Sequence, residues 1–217
     1  MNRAELAKMM DVTLVRNIHS EQEIEDLISA AKQYKFACVF TMQCYIEKVA
    51  AGLSDVRDTH IGGVIGFPSG TEFTRIKLEE ARINMLYGAD EIDMVINLSW
   101  LRSRKYNEIQ DEIKMVKDAI LDKPLKCIIE ISCINESEAA KACELVVRAG
   151  ADYVKTGTGW FGGATVEQVR FIKSIIGNSA AIKAAGGIRT LQTAEALIEA
   201  GASRLGVGLE SVSNILG

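Results

Sequence analysis

Eight short apolar runs punctuate this chain, each followed by a stretch with helical periodicity. They fall at residues 12–15, 36–40, 63–67, 91–96, 126–131, 152–156, 180–184 and 203–207. From the second run onward, successive starts lie between 23 and 35 residues apart. That interval holds one loop, one helix and one return loop. Helices are expected at 20–34, 74–87, 106–120, 137–149, 165–176 and 190–200. In the first of them Ser20 stands three residues before Glu23, a capping box, and Ile24, Leu27, Ile28 and Ala31 recur on one face. Gly88, Gly150, Gly177 and Gly201 follow helix ends, where a left-handed residue closes the last turn at little cost.

Three joints share a phrase. YGADEIDMV from Tyr87, RAGADYVKT from Arg148 and EAGASRLGV from Glu199 all read helix, Gly-Ala, polar residue, strand. A strand-plus-helix unit repeated eight times is the pattern of an α/β chain folded as a (β/α)8 TIM barrel. The competing architecture is an open doubly wound sheet. No GxGxxG follows the first strand, and the count of eight favours closure. Two prolines, Pro68 and Pro124, and no Gly/Ser-rich linker interrupt the pattern, so a single domain is expected over 1–217, opening with a short N-terminal helix.

With 48% hydrophobic residues the chain can bury a sizeable core, and its net charge of −4 gives no support for a nucleic-acid partner. Five cysteines, an odd number without a CxxC pair, fit a reducing compartment. The opening MNRAELAKMM is charged rather than a secretory apolar region, and no window approaches the run of about 18 apolar residues that a membrane span requires. A cytoplasmic protein with no membrane partner is expected.

Catalytic groups of a barrel gather at the C-terminal ends of its strands. The polar residues placed near there are Asp11 and Thr13, Cys38, Asp93, Glu130, Lys155 and Lys183. Neighbouring strands lie under about 5 Å apart. If Lys155 and Lys183 share a height and both face inward, each disfavours the other's charge, and desolvation adds to the effect. One lysine then becomes a free amine near neutral pH, as a Schiff-base nucleophile requires. Asp93 supplies a carboxylate that can move protons. A single strand lysine is more simply paired with Asp93 or Glu130; two lysines and an aspartate, each centred in an apolar strand, favour chemistry.

Glycines follow both lysines. Gly157 and Gly159 succeed Lys155, while Gly186, Gly187, Ile188 and Arg189 succeed Lys183, and the eighth run passes through Gly206 and Gly208. Backbone N–H groups in such turns make an anion nest, and barrels often hold phosphate at the loops after strands seven and eight. The bland alternative is that these glycines only permit tight turns. GFPSG at 66–70 is either a loop at the pocket rim or a structural turn. His19 starts a helix and His60 precedes a strand, so no histidine pattern supports a metal site. The cysteines read as core thiols, with Cys38 the one that could face the pocket.

The segments DVTL, GFPSG, GADEIDMVIN, KCIIE, GADYVKTGTGW, GGAT and IKAAGGIRT, spread over nearly the full length, together resemble the deoxyribose-phosphate aldolase family of class I aldolases. The resemblance implies that Lys155 forms an imine with substrate, that Lys183 perturbs its pKa and relays protons, and that Asp93 donates and accepts protons. It places Gly159, Gly186, Gly187, Ile188, Arg189, Gly206 and Gly208 around the substrate phosphate, and Asp11 and Thr13 near the pocket floor or the hydroxyl-binding region. It implies reversible cleavage of 2-deoxy-D-ribose 5-phosphate to acetaldehyde and D-glyceraldehyde 3-phosphate, without metal or other cofactor, by a homodimer. Three features depart from the family. In the phrase after strand eight, GVGLES, Val207, Gly208 and Leu209 offer none of the small hydroxyl groups the family carries there and Ser211 lies a turn further on, so phosphate would rely on backbone N–H groups and Arg189. FTMQCY after the second strand lacks a proline, and the chain stops at SNILG without a tail ending in tyrosine. These departures leave open a sibling aldolase with a different, non-phosphorylated substrate, and a non-catalytic barrel that binds a phosphorylated metabolite.

Overall fold

The computed structural model describes residues 2–217. In chain order its elements are α1 (Arg3–Ala7), β1 (Met10–Leu14), α2 (Glu21–Tyr34), β2 (Cys38–Thr41), α3 (Ile46–Gly52), β3 (His60–Ile65), α4 (Thr74–Leu86) and β4 (Glu91–Val95). They continue with α5 (Leu98–Arg102), α6 (Tyr106–Ala119), β5 (Leu125–Ile128), α7 (Glu136–Arg148), β6 (Tyr153–Lys155), α8 (Val166–Ile176), β7 (Ala181–Ala185), α9 (Leu191–Glu199), β8 (Arg204–Gly208) and α10 (Val212–Leu216). The strands pair in parallel, in chain order, and β8 returns to β1, so the sheet is a closed barrel.

The shared Gly-Ala-polar phrase has one structural meaning. Gly88, Gly150 and Gly201 all adopt positive φ, and the N–H of the following Ala89, Ala151 and Ala202 reaches back to the carbonyl five residues earlier. That is the Schellman closure of a helix. The polar residue next in line then donates its N–H to the neighbouring strand: Asp90 to Ile61, Asp152 to Leu125, Ser203 to Ile182. Each joint thus stops a helix, turns the chain and docks it on the sheet. Ser20 and Glu23 form the expected capping box on α2.

Three short helices, α3, α5 and α10, stand where the sequence pattern gave none. All are under eight residues, too short to show helical periodicity. Strand five is also shorter than its apolar run. It ends at Ile128, and Glu130, expected inside the strand, instead turns the chain out of the sheet with φ of +43°.

Burial divides the molecule into two cores of different kinds. The large one lies between barrel and helices and includes Val12, Val39, Ile92, Met94, Val154, Ile182, Leu205 and Val207 from the outward faces of strands. Inside the barrel the apolar cluster is small, Cys38, Phe40 and Val64. Beside it, inward positions on six strands carry charge, Asp11, Glu91, Asp93, Lys126, Lys155, Lys183 and Arg204 among them, and these build the site.

Candidate active site

Strand register brings the sequence-picked groups together. Lys155 pairs with Lys183 across β6 and β7, and Asp93 pairs with Lys126 across β4 and β5. Asp93 and Lys183 are fully buried and Lys155 is 4% exposed. Both lysines donate to one oxygen, Asp93 Oδ2, at 2.6 Å from Lys155 Nζ and 2.7 Å from Lys183 Nζ. Phe40 lies beneath, its ring centre 3.8 Å from Lys183 Nζ, a desolvated cation–π contact.

Below this trio sits a second tier of charge that the sequence reading missed in part. Asp11 accepts a hydrogen bond from Arg204 at 2.6 Å, forms an ion pair with Lys183 at 2.6 Å, and lies 3.7 Å from Lys126. Glu91 pairs with Lys126 and with Arg204. Asp11 is therefore not at the pocket floor; its carboxylate is wholly buried among cations. Cys38 does not face the pocket either. It is buried on β2 in register with Asp11, and burial, with Glu91 and Asp11 nearby, pushes its thiol well above the usual range. Its sulfur and the Asp11 and Glu91 carboxylates lie within 4.8 Å of one another, but the carboxylates are already held by lysine and arginine.

Counting charges explains the behaviour of Lys155. Among the described residues, Asp11, Glu91 and Asp93 oppose Lys126, Lys155, Lys183 and Arg204 inside the barrel. Three carboxylates face four cationic groups, and neutrality returns when one cation loses its proton. Burial pushes Lys155 down to about 8, against the pull of Asp93 and with help from Lys183 and Lys126. Burial opposes the charge of Asp93 too, but the three lysines outweigh it and hold the carboxyl well below its ordinary range. Lys126, facing three carboxylates, moves the other way, up from its usual value. Lys155 is thus the group that the interior discharges.

A cavity of about 150 Å³ opens above Lys155 at the C-terminal ends of the strands. Thr13, Gly159, Gly186, Gly187, Ile188, Arg189, Gly206 and Gly208 all line it, so every residue linked by resemblance to phosphate borders one space. Gly186 is required there: φ is +94°, and a Cβ would lie 2.6 Å from the Gly162 carbonyl oxygen and 3.0 Å from Gly159 Cα. The loops after β6 and β7 touch backbone to backbone, and Ala164 N–H donates to Gly186 O at 3.0 Å. Glu130 anchors the same loop. Its carboxylate accepts from Thr158 N at 3.0 Å and Thr158 Oγ1 at 2.5 Å, so it is a loop brace and not a partner for either lysine.

The lining also includes residues the sequence did not single out for the site: Arg16, His19, Trp160, Glu210 and Ser211. Arg16 lies 4.9 Å over the Trp160 ring and donates to Gly159 O at 2.9 Å. Trp160 in turn donates to Val15 O and meets Phe67, from the GFPSG turn, edge-on at 6.2 Å. These contacts join segments about 90 to 145 residues apart, which no local pattern reveals.

Residues 6–214 match the family described as DeoC/LacD family aldolase. A deoxyribose-phosphate aldolase from Thermoanaerobacter sp. (strain X514) is 42% identical over 205 residues, 93% of this chain and 92% of that one. Another from Aciduliprofundum boonei is 41% identical over 210 residues, covering 95% and 94%. Among solved structures, the aldolase QR15 superposes with a TM-score of 0.91 at 35% identity, covering 97% of this chain and 94% of its own. The deoxyribose phosphate aldolase of Aeropyrum pernix, described as a tetramer, gives 0.87 at 30% identity, covering 99% and 91%.

Proposed function

The chain belongs to the DeoC/LacD aldolase family, and on that premise we propose that it cleaves 2-deoxy-D-ribose 5-phosphate reversibly to acetaldehyde and D-glyceraldehyde 3-phosphate. The observation that carries this reading is Lys155: a buried amine at the base of the cavity, brought down to about 8 and sharing one Asp93 oxygen with a second lysine.

In this reading Lys155 Nζ attacks the C1 aldehyde of the open-chain sugar, and loss of water gives a protonated imine. The C3 hydroxyl gives its proton to the Asp93–Lys183 pair, through water. The C2–C3 bonding electrons pass into the iminium, releasing glyceraldehyde 3-phosphate and leaving an enamine on Lys155. The enamine takes a proton at C2, and hydrolysis frees acetaldehyde and the amine. The buried iminium supplies the electron sink, so the step needs no other electrophile. Arg189 and the backbone N–H groups of Gly159, Gly186, Gly187, Ile188, Gly206 and Gly208 serve the phosphate, and Thr13 borders the same cavity.

The test is borohydride reduction in the presence of acetaldehyde, followed by peptide mapping. An adduct on Lys155 is expected; its absence there, with intact enzyme, overturns the mechanism. The same reading takes 1–217 as one catalytic domain, acting in the cytoplasm as a homodimer without nucleic acid. Among the described residues no helix is long and apolar enough to cross a membrane. Supporting self-association, Ile76, Ile83 and Leu86 stand exposed along α4, and Phe73 just before it. Light scattering at micromolar concentration reads the oligomer directly.

A further inference from the structure

The phosphate end of the cavity contains a group that opposes phosphate. The cavity lining carries the guanidinium groups of Arg16 and Arg189 and one carboxylate, Glu210, besides the Lys155 amine at its base. Glu210 follows β8 in the GVGLES phrase. On β8 the positions facing inward alternate as Arg204, Gly206 and Gly208: Arg204 reaches Asp11 inside the barrel, Gly206 lies against Lys183, and both glycines border the cavity. A side chain at Gly208 would project toward that space. The volume it would need is already filled, because the nearest atoms to a Cβ built there are the two carboxylate oxygens and Cδ of Glu210. Glu210 has folded back over its own strand end into the room that glycine leaves. Among the described residues no lysine or arginine nitrogen lies within 4.0 Å of this carboxylate, so no surface ion pair holds it in place.

We propose that Glu210 is a specificity-determining residue, whose carboxylate occupies the anion end of the cavity and lowers the preference for a phosphorylated over an unphosphorylated sugar. The inference rests on reading the cavity as an aldolase pocket and deepens that reading. Backbone N–H groups of the glycine loops can serve one anion at this end. A substrate phosphate entering there meets a like charge, which it must displace or bind beside. A neutral hydroxymethyl end meets no such repulsion and can donate a hydrogen bond to the same carboxylate. Val207, Gly208 and Leu209 carry no hydroxyl where the resemblance expects one, and beside Ser211 at the same cavity stands the Glu210 carboxylate. The substrate class this favours is a neutral polyhydroxy aldehyde, accepted alongside the phosphate ester.

Two variants remove the carboxylate from the cavity by different routes. Glu210→Gln keeps the shape and removes the charge. Gly208→Ala keeps the charge and displaces it, since a flexible side-chain end can yield to a new Cβ, and backbone angles of −67° and 144° suit alanine. For each, the ratio of kcat/KM for 2-deoxyribose 5-phosphate to that for 2-deoxyribose is measured against wild type. Both ratios are expected to rise at least about fivefold, through a lower KM for the phosphate ester, as for a charge at a wet rim. Inorganic phosphate binding, followed calorimetrically without any substrate, should tighten by a similar factor in Glu210→Gln. A ratio and a phosphate affinity that both stay at wild-type values in Glu210→Gln overturn the proposal. If wild type cleaves neither sugar, the aldolase reading fails, and the phosphate titration still decides whether Glu210 opposes an anion.

Discussion

At the scale of single residues, the sign and size of the Lys155 shift make the most direct predictions. In the proposed mechanism the free enzyme needs Lys155 unprotonated, so kcat/KM should fall by about tenfold per pH unit below roughly 8 and level off above it. Imine trapping rates at Lys155 should follow the same curve. The shift also marks stability. The folded value, about 8, lies below the unfolded 10.5, so between these limits the unfolded chain binds the extra proton and stability rises with pH. The rise is on the order of 3 kcal/mol, and Lys155→Met should abolish both it and the trapping; urea midpoints at pH 8 and 10.5 compare the two chains. Arg16, held over Trp160 at the cavity wall, belongs to the substrate end. Arg16→Ala should raise KM for the phosphate ester several-fold with a smaller change in kcat.

Elements show which parts of this molecule were legible in its sequence. The alternation of strand and helix was readable because each joint is closed locally: Gly150, for instance, has positive φ, and its neighbour Ala151 makes the closing bond within six residues. The Lys155–Lys183 pair was readable because consecutive parallel strands put like-placed residues in register. Asp11 and Cys38 were misplaced because height along a barrel strand depends on stagger around the whole closure, which a single strand does not encode. Arg16 and Trp160 were missed because their contact spans the chain from first loop to sixth. The two glycine types separate cleanly by mutation. A Cβ at Gly150 meets nothing within 4 Å, so Gly150→Ala costs only the left-handed backbone, about 1 kcal/mol, read as a Tm lower by about 2–4 °C. At Gly186 the Cβ would strike the Gly162 carbonyl, so Gly186→Ala should destabilise more and also weaken substrate binding by parting the two loops.

For the whole molecule, the barrel interior acts as one electrostatic unit, and distant members should tune Lys155 in opposite senses. Arg204→Met removes a cation from the four-against-three balance and should move the acid limb of kcat/KM to higher pH. Asp11→Asn removes a carboxylate and should move it lower. Either change breaks a buried pair, so each should also cost about 3–5 kcal/mol in chemical denaturation. If both limbs moved the same way, the charge balance would not be what sets Lys155. The same surplus of positive charge bears on the reaction after the amine has been consumed. Condensation with an aldehyde leaves Nζ cationic again, in surroundings that reject a fourth cation. In the proposed mechanism that species returns to neutrality by drawing in an electron pair, and the pair it can take is that of the C2–C3 bond, one carbon removed from the iminium carbon. The interior that frees the amine for attack therefore also sharpens the appetite of the covalent intermediate for the electrons of the bond to be cut, so one arrangement of buried charge drives two successive steps.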